Sequence, residues 1–440
     1  MMLSYYVKLA FISLKRTPLL SFLMVMLIAM GIGATMTTYT VNYMMSQDPI
    51  PSKSDNLYSV QIDSRGDGVD YSYLDTIPPE MTYQDAMNIL KSDIPKYQAV
   101  ISAIRTTVKN PAKHDTAVTR EVRTTSADFF PMLEVPFLYG RGWDETADNN
   151  AEQVVVLTKQ ANMRFFDGEN SIGQSLQLGE DLYQVVGVLD DWLIVPKFYG
   201  QNNTMYSQPF DIFMPFSTQV SKEIFTTSLI NLACWKPATG EGAAAYLASE
   251  CTWIKIWAEL ENDEKKQQFQ LFLDNYAQQQ QAQGRFANRI LNKLVSVKQY
   301  LSEEKIVPED SKIAVSLAAL FLIVCLLNCM GLMMAKFHGK AGEAGLRRAV
   351  GASRQHLIAQ FSVELAVVGF IGGVLGLLLA QLGLVAMTNL YSHLHSSLMQ
   401  MNALIVVITL ALAVVISCIF GLIPILKASR IQLSSQLKSL

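Results

Sequence analysis

Charged residues are missing from long stretches of this 440-residue chain. Leu19 to Gln47, Ile313 to Ala335 and Ala403 to Leu426 carry no charge, and Glu364 is the only charged residue between His356 and Leu426. A helix of about 20 apolar residues can cross the hydrocarbon core of a bilayer, because it satisfies its own backbone hydrogen bonds. The pattern predicts a membrane protein with four transmembrane helices and a large polar insertion after the first.

The motifs of common catalytic sites are missing as well. The sequence has no G-x-x-x-x-G-K-[ST] phosphate loop, no H-E-x-x-H zinc motif, no C-x-x-C pair and no G-x-S-x-G nucleophile turn. His393 and His395 could bind a metal, but two histidines in a short loop are more often plain surface residues. The twenty methionines are scattered through apolar stretches, which is typical of side chains that fill a packed interior. A net charge of −3 does not favour a nucleic-acid partner. We expect no catalytic residue, cofactor or metal, and a lipid bilayer as the surroundings.

Lysine and arginine mark the short segments on one side of the predicted spans, whereas the loop 391–402 contains neither. Because these residues concentrate on the cytoplasmic side of a membrane, we expect both termini and the loop between spans two and three in the cytoplasm. The first span is expected to be an uncleaved anchor, since its uncharged run is longer than that of a signal peptide. The residues that carry the assignment are Lys8, Lys15, Arg16, Lys336, Lys340, Arg347, Arg348, Arg354, Lys427, Arg430 and Lys438.

These patterns divide the chain into consecutive segments. The first span is long enough to continue beyond the bilayer as a stalk. The predicted order is a cytoplasmic amphipathic helix (1–18), transmembrane helix 1 with its stalk (19–47), an outer domain (48–311), transmembrane helix 2 (312–335), a cytoplasmic loop (336–356), transmembrane helix 3 (357–390), a short outer loop (391–402), transmembrane helix 4 (403–426) and a cytoplasmic tail (427–440).

The outer domain alternates strand and helix patterns and contains all five tryptophans. Short β-branched runs predict strands, and Phe269, Phe272, Leu273 and Tyr276 recur at the spacing of one helix face. We therefore expect an α+β domain in two lobes. The predicted strands are 57–62, 99–108, 154–157, 183–189 and 229–234, and the predicted helices include 82–90 and 242–260.

Two of the five cysteines, Cys234 and Cys251, lie in the outer domain, and the other three lie in predicted spans. A compartment outside the cytoplasm is oxidising, so we predict a disulfide between these two, from the end of a strand to the following helix. Two buried free thiols are the alternative, because Cα atoms more than about 7 Å apart cannot be bridged.

Glu364 and a group of glycines stand out within the third span. An acid inside a span is costly, so an ion pair with Arg347, Arg348 or Arg354, or exposure at the membrane interface, is expected in preference to a proton relay. The glycines have small-xxx-small spacings, which let helices approach closely. They predict a packing face, within the subunit or across a dimer, formed by Gly369, Gly372, Gly373 and Gly376.

Lys340 to Arg354, KAGEAGLRRAVGASR, followed by the glycine-rich span, resembles the conserved stretch of FtsX-like permeases. The outer segment is similar to the MacB-type periplasmic core domain, and Gly421 to Arg430 resembles the C-terminal end of the family, although Ile425 replaces a common alanine. Together they resemble the MacB/FtsX-like ABC transporter permease family, with no fused ATPase. The outer motifs, in the family's order, are 126–130, 140–142, 154–157, 165–168, 172–173 and 185–188.

The resemblance implies that a cytoplasmic ABC ATPase dimer docks on the loop 336–356. ATP hydrolysis in that partner would move the loop, and the spans would pass the motion to the periplasmic domain, so that no substrate need cross the inner membrane. The alternative is that the basic residues of this loop only determine the orientation of the spans in the membrane. The residues expected to couple to the ATPase are Glu343, Gly345, Leu346, Arg347, Arg348, Gly351, Ser353 and Arg354.

The resemblance further implies a second permease subunit, in a homodimer or heterodimer, in the bacterial inner membrane. For this chain, the function that the resemblance favours is efflux of peptides, toxins or lipophilic compounds, together with a periplasmic adaptor and an outer-membrane channel. Lipoprotein release, as by the LolC/LolE permeases, and FtsX-like control of cell-wall hydrolases are the alternatives. Nothing in the residues identifies the substrate.

Overall fold

The chain folds into two compact units, residues 1–46 with 307–440 and residues 47–306. This computed structural model describes residues 2–65, 77–113, 116–192, 194–200, 212–225, 233–286, 291–303, 309–339, 346, 350–351, 353–390 and 401–429. The first unit is helical, and the second, the inserted domain, contains both strands and helices.

Among the described residues, four helices are long and apolar enough to cross a membrane, which confirms the predicted spans. The first begins at Pro18, whose fixed φ suits the first turn of a helix and whose missing N–H has no partner to lose there. A separate helix, Met2–Arg16, precedes it. The four are TM1 (Pro18–Met45), TM2 (Glu309–Gly339), TM3 (Arg354–Leu390) and TM4 (Ala403–Ser429).

TM3 packs against TM1 and TM4, and TM2 packs against the same two helices. TM1 and TM3 are the more buried helices of the bundle, and TM2 and TM4 expose more of their surface. Hydroxyl groups add bonds between helices: Thr35 Oγ1 of TM1 donates to the carbonyl of Ala318 in TM2 at 3.0 Å. The helix Met2–Arg16 lies against TM3. The core of the bundle includes Met24, Ile28, Ile32, Met333, Phe361 and Leu365.

In the inserted domain, the described residues form one mixed sheet of twelve strands, nine of which follow the order β12-β1-β11-β3-β4-β9-β6-β8-β5. The other three pair at its side: β2 and β10 with β11, and β7 with β3 and β8. The pairs β4–β9 and β6–β8 are parallel, and the other pairs are antiparallel. The strands are β1 (Leu57–Ile62), β2 (Met81–Thr82), β3 (Tyr97–Lys109), β4 (Val118–Thr125), β5 (Phe137–Gly140), β6 (Val154–Leu157), β7 (Ser175–Leu178), β8 (Asp181–Leu189), β9 (Ile212–Pro215), β10 (Ala233–Cys234), β11 (Cys251–Glu259) and β12 (Asn292–Ser296).

The domain is α+β with two lobes, as predicted, and the two lobes share the sheet. In one lobe, the helix Asp263–Ala282 packs Phe269, Leu273 and Tyr276 against the β1–β11 side. In the other, the helix Lys159–Phe166 covers β6 and β8. The remaining helices of the domain are Tyr83–Ile89, Phe129–Met132, Glu145–Asn149, Phe216–Ser221, Ala243–Leu247 and Val297–Glu303.

The helix predicted over 242–260 is wrong for most of its length. The structure has a short helix, Ala243–Leu247, followed by the central strand β11, Cys251–Glu259. Every residue of β11 is buried, because both faces of this strand are covered. Apolar residues on both faces remove the alternation that marks a half-exposed strand, and Trp253, Ile254, Ile256 and Trp257 then match a helical spacing equally well.

Two clusters of polar side chains, each at least partly buried, stabilise the inserted domain. Arg285 bridges two acids, with Nη1 2.9 Å from Asp85 Oδ1 and Nε 2.7 Å from Glu250 Oε1. Tyr276 donates its hydroxyl to the same Asp85 oxygen at 2.7 Å. These contacts join the helix Tyr83–Ile89 to the segment before β11 and to the segment after the helix Asp263–Ala282. The fully buried carboxylate of Asp85 is balanced by the charge of Arg285.

The second group surrounds Asp148, at the end of the helix Glu145–Asn149. Its carboxylate accepts the backbone N–H of Ala127 at 2.6 Å and the indole N–H of Trp143 at 2.9 Å. Burial raises the pKa of Asp148 to about 6, although both hydrogen bonds act to lower it. This carboxyl therefore titrates in a range where an exposed aspartate stays ionised.

Candidate functional site

The segment between TM2 and TM3 exposes two aliphatic side chains. Leu346 is 69% exposed and Val350 is 82% exposed. The backbone N–H of Val350 donates to the carbonyl of Leu346 at 3.1 Å, which closes one helical turn and places the two side chains near each other. Together they form a small exposed apolar surface on one turn. Of the other predicted coupling residues, Glu343, Gly345, Arg347 and Arg348 lie outside the described residues.

The chain turns from this segment into TM3 at Gly351 and Ser353. Gly351 has a φ of +102°, a conformation that residues with a Cβ rarely adopt. Ser353 Oγ accepts the backbone N–H of His356 at 3.2 Å, as an N-cap serine does. Arg354 is the first residue of TM3. Glycine and the cap together determine the direction in which TM3 leaves the loop.

Glu364 is buried in the bundle at 2% exposure. Its Oε1 lies 2.7 Å from Nζ of Lys336 and accepts the hydroxyl of Ser13. Lys336 also donates to Ser21 Oγ at 3.1 Å. Glu364 thus forms an ion pair with a lysine of TM2. The sequence favoured Arg347, Arg348 or Arg354 as its partner, and Arg347 and Arg348 lie outside the described residues.

Lys336 is the functional candidate that the sequence pattern did not reveal. It was assigned to the loop 336–356 as one of several basic residues, but TM2 continues through Gly339 and holds Lys336 inside the bundle. A helix can extend this far because the lysine finds an acid on the neighbouring helix. The signal available in the sequence was Glu364 itself, an intramembrane acid that requires a cation nearby.

The glycines of TM3 face two different helices within the subunit. A Cβ at Gly372 would lie 2.7 Å from Ile28 Cγ2, and one at Gly376 2.8 Å from Ile32 Cβ, both on TM1. A Cβ at Gly369 would lie 2.5 Å from Ser417 Oγ, and one at Gly373 3.0 Å from Ala413 Cβ, both on TM4. These distances are shorter than ordinary contacts, so the absent side chains are what permits TM3 to lie between its neighbours.

Cys234 and Cys251 are joined by a disulfide with a Cα–Cα distance of 4.0 Å. They face each other across the antiparallel pair β10–β11. The predicted geometry, from a strand to a helix, is wrong, because Cys251 begins a strand. Cys325, Cys329 and Cys418 are free and lie in TM2 and TM4. Among the described residues, no group of three or more His, Cys, Asp or Glu side chains could hold a metal ion; His393 and His395 lie outside them.

Two family models match consecutive parts of the chain. The MacB-like periplasmic core domain matches residues 21–269, and the FtsX-like permease C-terminal domain matches residues 315–433. The chain belongs to the MacB/FtsX-like ABC transporter permease family.

Relatives of this permease share low sequence identity with it. It is 24% identical over 342 residues to the macrolide export ATP-binding/permease protein MacB of Acinetobacter baylyi, a match that covers 76% of the permease and 45% of that protein. It is 23% identical to the ABC transporter permease YvrN of Bacillus subtilis over 69% of the permease and 66% of YvrN. The permease therefore spans less than half of the length of the Acinetobacter relative.

A solved structure, the periplasmic region of MacB from Actinobacillus actinomycetemcomitans, is 14% identical with a TM-score of 0.37. The match covers 59% of the permease and 98% of that chain. Family membership and the four long apolar helices indicate a multi-pass membrane protein. Permease subunits of this family are generally not catalytic themselves.

Proposed function

We propose that this permease couples ATP hydrolysis in a separate cytoplasmic ATPase to a conformational change of its periplasmic domain. Two permease subunits and two ATPase chains would form the unit, with both termini of each permease in the cytoplasm. The substrate would be collected and expelled outside the inner membrane, so the spans would transmit motion and need not form a channel.

The observation that carries this proposal is the exposed pair Leu346 and Val350. Two aliphatic side chains on one turn, each more than two-thirds exposed, are unfavourable in water and are stabilised when a partner covers them. They are surrounded in sequence by Arg347, Arg348 and Arg354, which would add charged contacts at the edge of such an interface. An apolar centre with a charged rim fits a protein surface, here that of the ATPase.

The packing of TM3 supports transmission through the bundle. Because Gly372 and Gly376 let TM3 approach the backbone of TM1, and Gly369 and Gly373 let it pack closely against TM4, TM3 has little space to tilt alone. A displacement applied to the loop before TM3 would therefore move three helices. TM1 leads directly into the inserted domain at Gln47, which gives the motion a covalent path outward.

Export is the favoured process, since several relatives are named macrolide export proteins. We propose tripartite efflux of peptides, toxins or lipophilic compounds, with a periplasmic adaptor and an outer-membrane channel as further partners. The second permease subunit would be an identical copy or a relative.

The docking proposal is tested by co-expressing the tagged permease with each span-free ABC ATPase of its host. Wild type should retain one ATPase through purification and stimulate its ATP hydrolysis. Leu346→Glu with Val350→Glu should abolish both without lowering the amount of permease in the membrane. Arg347→Glu with Arg348→Glu should also weaken both, because reversing two charges at the rim of the interface places like charges opposite each other across it.

Gln355→Glu is the matched control, because it adds a negative charge at an exposed position five residues after Val350 in the sequence. It should leave ATPase binding intact. Retention of the ATPase by the Leu346/Val350 variant would disprove the docking site, and substantial ATP hydrolysis by the purified permease alone would disprove the separate ATPase.

A further inference from the structure

A buried ion pair joins the two helices that border the loop between TM2 and TM3. Lys336 lies in the last turn of TM2, and Glu364 lies about 15 Å along TM3 from its first residue, Arg354. Their side chains are 1% and 3% exposed, with Nζ and Oε1 2.7 Å apart. The pair therefore links TM2, near its loop end, to TM3 about three helical turns inside the bundle.

The same two charges contact two further helices. Lys336 Nζ donates to the hydroxyl of Ser21 in TM1 at 3.1 Å, and the hydroxyl of Ser13, in the helix Met2–Arg16, donates to Glu364 Oε1. Thr17 lies between those two helices, and its Oγ1 is 3.4 Å from Ser21 Oγ. One cluster thus joins the N-terminal helix, TM1, TM2 and TM3 at the end of the bundle where the loop lies.

Stability alone does not account for this cluster. Removing two charges from water costs free energy that their mutual attraction seldom exceeds, and well-packed apolar residues of similar volume are often as stable. A buried pair does specify one arrangement, because sliding either helix leaves an unpaired charge in apolar surroundings. The pair therefore opposes separation of TM2 from TM3 more strongly than apolar contacts would.

We propose that Lys336 and Glu364 are positioning residues for coupling. They hold TM2, TM3, TM1 and the N-terminal helix in one arrangement, so that a displacement of the loop moves these helices together. Without the pair, TM2 and TM3 could separate at the loop and absorb the displacement there. This inference rests on the proposed function, because the ATPase supplies the displacement.

The first measurement uses the full-length permease without an ATPase. Nitroxide labels are placed at Gly339 and Gln355, both exposed, after Cys325, Cys329 and Cys418 are replaced by alanine. Wild type should show one narrow distribution of distances between the labels. Lys336→Met should broaden it, and the charge swap Lys336→Glu with Glu364→Lys should restore it. A distribution unchanged by Lys336→Met would overturn the proposal.

The second measurement adds the ATPase. The apolar pair Lys336→Met with Glu364→Leu should bind the ATPase as wild type does, since the loop is intact, but should stimulate ATP hydrolysis about tenfold less. The charge swap should recover the stimulation. Thr35→Val, which removes a hydroxyl bond between TM1 and TM2 away from the cluster, is the control and should have no effect.

Wild-type stimulation by the apolar pair would overturn the coupling role. If the unaltered permease binds no ATPase, the proposed function fails and the coupling role with it, whereas the label distances still decide whether the pair holds TM2 to TM3.

Discussion

Gly376 of TM3 lies so close to Ile32 of TM1 that a Cβ at position 376 would be 2.8 Å from the Ile32 Cβ. The same added atom would be 3.0 Å from the carbonyl oxygen of Ala29, which belongs to the helix backbone and cannot rotate away. The close approach of TM1 and TM3 depends on the missing side chains of Gly376 and, one turn earlier, Gly372.

Replacing Gly376 with alanine should destabilise the bundle by about 1–3 kcal/mol, because the added methyl group forces TM1 and TM3 apart. Gly331→Ala in TM2 is the control, since a Cβ there would meet nothing within 4 Å. Unfolding of both variants in detergent, followed by helical circular dichroism, measures the difference. Equal stability of the two variants would contradict the packing.

The Cys234–Cys251 disulfide closes a loop between residues 17 apart in sequence and so restricts the unfolded chain. Its reduction should therefore lower the free energy of unfolding of the inserted domain by about 3 kcal/mol. All five tryptophans lie in this domain, so their fluorescence reports its unfolding. The variant Cys234→Ser with Cys251→Ser should be insensitive to reductant. Peptide mass spectrometry of native, non-reduced protein tests the bond directly, and two freely alkylated thiols would refute it.

Acidification should stabilise the inserted domain through Asp148. The pKa of this carboxyl is about 6 when folded, against an ordinary value of 3.8, so the folded state binds a proton more tightly than the unfolded state. The stabilisation is present below pH 4 and is lost as the pH rises through 6. Relative to Asp148→Asn, wild type should therefore gain free energy of unfolding as the pH falls from 8 to 5.

The same titration on Glu261→Gln, which removes an exposed carboxyl, should run parallel to wild type. A constant difference between wild type and Asp148→Asn across this range would show that Asp148 does not titrate as described.

Arg285→Met should destabilise the inserted domain by about 3–5 kcal/mol, because it leaves the buried carboxylate of Asp85 without a cation. Lys113→Met breaks an ion pair with Asp167 that is largely exposed and should cost at most about 1 kcal/mol. Denaturant unfolding by tryptophan fluorescence compares the two. Similar costs would mean that the Arg285 cluster is solvated in solution.

The amino-acid sequence by itself determined the four spans, their order and the α+β class of the insertion. Long uncharged runs can satisfy their backbone only as helices in a bilayer, so composition is sufficient there. The strands β1, β3, β6 and β8 were also predictable, since short β-branched runs between turn residues have few other structures to adopt.

Tertiary structure decided the rest. The sequence predicts a helix where the structure has strand β11, because burial on both faces removes the alternation of apolar and polar residues that marks a strand. Pairing with the neighbouring strands β1 and β3 is what makes this segment a strand. Likewise, Lys336 and Glu364 are far apart in sequence, and a charge count assigns the lysine to a loop. Their pairing depends on how TM2 and TM3 pack, because the cost of burying either charge is offset only when the other lies within hydrogen-bonding distance.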